Sequence, residues 1–250
     1  MNAPNDRNAW LGGNHRCGIE PRPSDPCWRL VLLGPPGVGK GTQAQLLAHQ
    51  LGACHLSTGD IFRAASDWPA GDRSPALEQA IAGMARGELV PDATVMEIIR
   101  ERRRCLVCRG GFLLDGFPRT VAQAEALESL LQQEDIALDA VVNYYIADEI
   151  LAQRLTGRRV CPNCRATYHI SACPPREEGR CDRCGVGLCQ RKDDSLKSVA
   201  TRLKIYHENA RPLVEFYGSR GRLATVQAAG ASGEVFQRTL AAIGWPAFRT

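Results

Sequence analysis

The 250-residue chain has no run of about eighteen apolar residues, so no segment of it reads as a membrane-crossing helix. Its first residues lack a basic stretch followed by an apolar one. The expectation is therefore no secretory leader and a cytoplasmic location. Neither sign of charge dominates: a net charge of +4 is too small to argue for nucleic acid as a partner. No internal repeat is visible. What remains is ordinary globular composition, 44% hydrophobic and 23% charged, in a chain long enough for one or two domains and a sizeable core. Cysteine is in surplus, with 11 residues unevenly placed. Without a leader, paired cysteine spacings read as metal ligands before disulfides.

The stretch that organises the chain is Gly34-Pro35-Pro36-Gly37-Val38-Gly39-Lys40-Gly41-Thr42. An apolar run precedes it (30–33) and a helical pattern follows it (43–51), giving the order strand, glycine-rich turn, helix. The pattern G-x-x-x-x-G-K-[ST] is met except at its last place, where Gly41 stands and the hydroxyl comes one residue later on Thr42. Glycines let backbone N–H groups crowd around an oxygen-rich anion, and the helix N-terminus adds a favourable dipole. Lys40 brings a mobile charge to the outer phosphates.

Read in order, residues 1–28 show no apolar period and are expected to be a disordered extension. Residues 29–34 form a first strand buried on both faces, and Cys54-His55-Leu56-Ser57 a second, with Cys54 and His55 expected as core residues. Thr58 suits a helix N-cap, with Asp60 favouring the dipole. Helices follow over about 76–86 and, capped by Asp92, to about residue 104. Phe112-Leu113-Leu114 is a buried strand ending in Asp115, which is placed either to manage a nucleotide-bound magnesium ion or to make a turn before Gly116. Thr120-Val121-Ala122-Gln123 fits a capping box. A strand over 140–146, a helix from Asp148, a long helix with Leu196, Val199, Leu203, Tyr206, Ala210, Leu213 and Tyr217 on one face, a last strand over 223–226 and a last helix over 235–243 complete the chain. Strands alternating with helices predict a parallel sheet covered on both faces.

Residues 157–193 differ: rich in Cys, Arg, Gly and Pro, they have no apolar core. Cys161-Pro162-Asn163-Cys164 and Cys181-Asp182-Arg183-Cys184 are two C-x-x-C pairs separated by sixteen residues, the spacing of two knuckles sharing a tetrahedral zinc ion. In so polar a segment the metal would supply the folding energy. Arg165, Arg180 and Arg183 would offset the thiolate charge. Cys173 and Cys189 lie close enough to replace a ligand. A third pair, Cys105-Leu106-Val107-Cys108, has no partner pair and is read as incidental.

With these motifs in this order, together with Ser57-Thr58-Gly59-Asp60, Gly116-Phe117-Pro118-Arg119-Thr120, Gly157-Arg158-Arg159 and Arg191-Lys192-Asp193-Asp194, the chain resembles the long-lid, zinc-bearing adenylate kinases over about residues 29–243. The resemblance implies an α/β fold: a P-loop NTPase-like parallel sheet of five strands with helices on both faces, a helical arm that binds AMP, and a zinc-ribbon-like lid. The core would comprise residues 29–57, 87–156 and 194–250, the arm 58–86 and the lid 157–193. It implies the reaction MgATP + AMP ⇌ 2 ADP by a cytoplasmic monomer without nucleic-acid or membrane partners, using Mg2+ with ATP and a structural Zn2+.

Carried over by motif, Gly37, Val38, Gly39, Lys40, Gly41 and Thr42 would cradle the ATP phosphates. Arg154 and Arg158 would contact ATP, Thr167 and Tyr168 would line the lid, and Gly230 would meet the adenine through its backbone. Thr58, Arg63, Glu88, Leu89, Val90, Gly116, Phe117, Pro118, Arg119 and Gln123 would form the AMP site, with Gln123 reading the base. Arg191 and Arg202 would clamp phosphates, Asp115 and Asp60 would hold the magnesium water shell, and Asp193 and Asp194 would latch the closed lid. The catalytic set would be Lys40, Arg119, Arg158, Arg191, Arg202 and Asp115. Phosphoryl transfer needs positioning and charge neutralisation over several oxygens, and guanidinium forks on separate segments suit that task. The segment 66–75 is longer than usual for the arm, and Val226-Gln227-Ala228 departs from the family's Val-Asp-Gly. Two other readings compete: a nucleoside monophosphate kinase of different base specificity, and a zinc-ribbon P-loop ATPase acting with nucleic acid. The latter must explain a module whose one aromatic stacking residue is Tyr168.

Overall fold

The computed structural model describes residues 8–12, 27–85, 90–164, 166–191 and 194–245. Five parallel strands form the central sheet: β1 (Trp28–Leu33), β2 (Cys54–Ser57), β3 (Gly111–Asp115), β4 (Ala140–Tyr145) and, after the lid, β7 (Leu223–Gln227). Their order is β2-β3-β1-β4-β7. The chain winds outward from β1 to both sides, so the crevice at the carboxyl ends of β1 and its neighbours is where such sheets take ligands.

Burial explains the parallel sheet. Val31, Leu33, Leu56, Phe112, Leu114 and Val141 point into one apolar cluster, while Leu30, Leu32, Leu113, Val142 and Tyr144 point into the other. Alternate residues of each strand therefore feed opposite faces, which is why the sequence reads as unbroken apolar runs. Helices α2 (Lys40–Leu51), α7 (Val121–Gln133) and α10 (Ser232–Ala242) lend their apolar stripes to these layers. Helix α9 (Leu196–Gly218) serves both, with Val199 and Leu203 in one cluster and Leu213, Phe216 and Tyr217 in the other.

The arm after β2 is built from α3 (Thr58–Ser66) and α4 (Pro75–Ala85), and α5 (Asp92–Glu101) returns the chain to the sheet. A short α6 (Arg103–Leu106) then leads into β3, so the expected single helix to residue 104 is broken at Arg102. Helix α8 (Asp148–Thr156) ends where the cysteine-rich segment read as the lid begins. The lid carries a two-stranded antiparallel hairpin, β5 (Arg158–Val160) and β6 (Thr167–His169), below the cysteine knuckles.

The extension departs from the sequence reading. Residues 8–12 are not disordered: Asn8–Gly12 form the short helix α1, and Trp10 is buried to 1% exposure in the core. Its indole N–H donates to the Ser57 carbonyl at 3.0 Å. Arg102, 2% exposed, donates through Nε to the Trp10 carbonyl at 2.7 Å and through Nη2 to that of Leu11 at 3.1 Å. The cost of burying a guanidinium is offset by these carbonyls and by Glu101, at 2.8 Å from Nη1. A tryptophan in an otherwise aperiodic stretch was the available signal.

Candidate active site

The glycine-rich loop leaves the tip of β1 and enters α2 at Lys40. Gly34 sits at φ 140°, and a Cβ there would fall 2.7 Å from the Tyr144 carbonyl, so the loop can pass β4 only as glycine. Gly37 and Gly39 also take positive φ. Lys40 folds back over the loop, donating to the carbonyls of Gly34 at 2.7 Å and Pro35 at 3.0 Å. Its pKa is lowered to about 8, first by loss of water and then by the positive charges of Arg119, Arg202 and Arg158, with Asp115 opposing. Four cationic groups from four separate segments therefore share one field, the arrangement an oxygen-rich anion would relieve.

The parallel register of β2 and β3 pairs Ser57 with Asp115, which brings Thr58 beside Gly116. The Thr58 hydroxyl lies 3.5 Å from the Asp115 carbonyl, and a Cβ on Gly116, at φ 84°, would come 3.0 Å from that hydroxyl. Thr58 is the first residue of α3, and its cap is Ser57, so the hydroxyl faces the site and is not spent as an N-cap. Arg63, one turn on, pairs with Asp60 at 2.5 Å.

Asp115 stands at the junction. Burial alone would raise its carboxyl pKa, but the hydrogen bond from His55 and the charges of Lys40, His55 and Arg119 hold it below the ordinary value. His55 Nε2 is 3.4 Å from Oδ2. The sequence reading assigned His55 to the core. It is buried, as expected, yet it also touches the carboxylate, a contact set by strand register and invisible in spacing.

After β3 the chain turns through Gly116, a cis Phe117–Pro118 peptide and Arg119. Arg119 donates through Nε to the Gly116 carbonyl at 2.8 Å, which holds the guanidinium against the turn. Thr120 caps α7, accepting from the Gln123 N–H at 3.1 Å. The other half of the expected capping box is replaced. The Gln123 carboxamide, 4% exposed, accepts from the Arg119 N–H at 2.8 Å and donates to Asp92 Oδ1 at 2.7 Å. Asp92 also accepts from the Thr120 hydroxyl at 2.7 Å, so this carboxylate ties α5 to α7 and does not cap its own helix. Val90 packs against the same core, while Glu88 and Leu89 lie outside the described residues.

On the other side, Arg154 bridges the loop and the β7–α10 turn, donating to the Val38 carbonyl at 3.2 Å and that of Ala228 at 3.1 Å. Gly230 follows in that turn at φ 93°, where a Cβ would strike the Glu234 carboxylate at 2.2 Å. Just before α9, Asp194 is fully buried and accepts from Arg158 Nε at 2.8 Å and Nη2 at 2.6 Å, and from Arg202 Nη1 at 3.3 Å. The Arg191 carbonyl accepts from the Asp194 N–H at 3.1 Å. Asp193 lies outside the described residues. This carboxylate thus gathers Arg158, expected on ATP, and Arg202, expected in the phosphate clamp.

In the lid, the sulfurs of Cys161, Cys164, Cys181 and Cys184 all lie within 4.8 Å of one another. Cys161 and Cys184 are 3.4 Å apart, as are Cys164 and Cys181. Four thiolates about 2.3 Å from a central tetrahedral ion would be roughly 3.8 Å apart, so the donor set fits zinc. Among the described residues this is the one such cluster, and Cys173 and Cys189 are not part of it. The Tyr168 side chain turns to this cluster, its oxygen 3.5 Å from Cys181 Sγ and accepting from the Asp182 N–H at 2.8 Å, while Thr167 is exposed. Tyr168, expected to line the lid, thus has its hydroxyl engaged by the second knuckle.

A phosphate-binding loop at the switch point of a parallel sheet, faced by arginines from separate segments, defines a P-loop phosphotransferase. Comparison with known proteins narrows the class. The family model described as adenylate kinase matches residues 32–222. Adenylate kinase of Symbiobacterium thermophilum is 49% identical over 198 residues, 79% of this chain and 90% of that protein. Those of Carboxydothermus hydrogenoformans and Clostridium beijerinckii are 47% and 44% identical, over 83% and 84% of this chain and 95% of each relative. The chain belongs to the adenylate kinase family, the nucleoside monophosphate kinases.

Proposed function

We propose that this chain transfers the terminal phosphoryl group of ATP to AMP, reversibly, giving two ADP. The observation that carries the reading is the set of cations brought in from separate segments: Lys40 on the carbonyls of the glycine-rich loop, Arg119 on the Gly116 turn, and Arg158 and Arg202 gathered on Asp194. Such a site binds several charged phosphates together and neutralises charge spread over the oxygens during transfer. The relatives named adenylate kinase support AMP as the acceptor.

In this reading residues 37–42 cradle the ATP phosphates, with Lys40 leaving its carbonyl partners for the transferring group. Arg154, Arg158 and the Gly230 turn face ATP. Thr58, Arg63, Glu88, Leu89, Val90 and the Gly116–Arg119 turn face AMP, and Gln123 offers its remaining amide N–H to the base. Arg191 and Arg202 complete the phosphate clamp. Asp115, with Asp60, orients the water shell of Mg2+, which supplies further charge neutralisation when bound with ATP. Cys161, Cys164, Cys181 and Cys184 hold a structural Zn2+ that keeps the lid rigid, so that Arg158 swings with it as a unit. Closure would exclude water, the competing acceptor. The protein acts as a cytoplasmic monomer on free nucleotides.

The test is ADP formation by the purified chain from MgATP, with and without AMP. Formation only when AMP is present supports the proposal. ATP consumption that ignores AMP and rises with added nucleic acid would instead favour an ATPase.

A further inference from the structure

The pair Cys105-Leu106-Val107-Cys108 finds no place in the nucleotide site or the metal cluster. Cys108 follows α6 at the turn into β3, and its carbonyl accepts from the Gly111 N–H at 3.0 Å. Its sulfur lies 3.7 Å from that of Cys54, the first residue of β2. The two are 54 residues apart in sequence and are brought together because β2 pairs with β3, Cys54 opposite Phe112. Cys54 is 6% exposed and Cys105 3%, both in the core cluster, whereas Cys108 is only partly buried. No disulfide joins the described cysteines.

We propose that Cys54 and Cys108 are a redox modification site that closes to a disulfide on contact with a low-molecular-weight disulfide. Two sulfurs in van der Waals contact must approach by about 1.7 Å to reach the 2.05 Å bond. The Cys108 side of the pair lies in a surface turn, where such a shift is least resisted. Exposure sets the order of events, because the attacking thiol must be reached. The Cys108 thiolate attacks one sulfur of oxidised glutathione, forming a mixed disulfide and releasing one glutathione thiolate, which takes up the proton lost by Cys108. The Cys54 thiolate then attacks the Cys108 sulfur and expels the second glutathione, which takes the proton lost by Cys54. The two cysteines lose two electrons, and one oxidised glutathione becomes two thiols.

The position fixes the consequence. Cys54 begins β2 and Cys108 lies three residues before β3, at the amino ends of the paired strands, while Ser57 and Asp115 stand at the carboxyl ends, beside the nucleotide site. The strand β3 puts about 13 Å between the ends. The bond therefore acts as a staple. Closing a 54-residue loop removes enough freedom from the unfolded chain to raise Tm by on the order of 10 °C.

The experiment treats the zinc-loaded full chain with oxidised glutathione, then maps non-reduced peptides by mass and measures Tm before and after dithiothreitol. The expected result is a peptide pair joined through Cys54 and Cys108. Tm should rise by about 10 °C and return on reduction. The bond and the rise should persist in Cys105→Ser and vanish in Cys108→Ser. A stable glutathione adduct on Cys108, a bond between Cys105 and Cys108, or an oxidised protein with unchanged Tm would each overturn the proposal.

Discussion

Replacing Asp194 by asparagine removes the charge that holds Arg158 and Arg202 in place while keeping the shape of the side chain. The carboxylate is fully buried and takes three hydrogen bonds from the two guanidiniums, at 2.6, 2.8 and 3.3 Å. A bond to a charged group contributes about 1.5–3 kcal/mol, and breaking a buried pair by removing one partner costs about 3–5 kcal/mol. Two features lower the figure here. The arginine side chains are 17% and 32% exposed, so water can reach them, and the variant no longer buries a carboxylate. Asparagine also keeps one acceptor. We expect a loss of about 2 kcal/mol for Asp194→Asn and about 3 kcal/mol for Asp194→Ala. In a chain of this size that is a fall in Tm of roughly 4–8 °C for the asparagine variant.

Kinetics separates this role from mere stability. Both arginines that depend on Asp194 are proposed to contact phosphates. If about 1.4–2.8 kcal/mol of their orientation is lost at the transition state, kcat/KM falls about tenfold to a hundredfold. Calorimetry and a coupled ADP assay read the two effects. An asparagine variant with wild-type Tm and wild-type kcat/KM would refute the claim that Asp194 presets the clamp.

Three further expectations rest on other parts of the molecule. Lys40 has its pKa lowered to about 8 in the ligand-free chain, chiefly by burial, against an ordinary 10.5. The unfolded chain thus binds more protons between those values, so this group's penalty on stability is full below pH 8 and fades as pH rises toward 10.5. Phosphates should restore the proton: calorimetry in buffers of different ionisation enthalpy should show up to about three quarters of a proton taken up per ATP bound at pH 8.5 and almost none at pH 6.5. Equal values at both would remove Lys40 from the phosphates. Metal analysis should find one zinc per chain, and stripping it should lower both Tm and turnover. Unchanged melting and activity after complete removal would deny the lid its metal. Trp10→Ala opens a cavity beside α3 and loosens the carbonyls around Arg102, for an expected loss of about 3–4 kcal/mol by denaturant unfolding. A loss below about 0.5 kcal/mol, the size of an ordinary surface substitution, would mean that α1 does not dock.

What was legible in the sequence was local. The loop at 34–42 and the cysteine knuckles state their chemistry within a few residues, because backbone geometry and metal ligation both demand fixed spacing. The five-strand sheet was legible because strands buried on both faces leave unbroken apolar runs, as at 30–33 and 112–114. What was missed depends on partners far along the chain. Trp10 is ordered by Ser57 and Arg102, which are 47 and 92 residues away. His55 meets Asp115, and Cys54 meets Cys108, only because β2 and β3 pair in one register. Gln123 and Thr120 were recognised as a cap, but the carboxylate of Asp92 that engages both side chains lies on another helix.

The most direct test of the central claim starts from ADP alone. With Mg2+ and the purified chain, phosphorus NMR should show ADP converting to ATP and AMP in equal amounts until equilibrium. Arg119→Ala should slow this by orders of magnitude while leaving Tm near that of the wild type. Release of inorganic phosphate, or ADP left unchanged in the presence of folded, zinc-loaded protein, would contradict it.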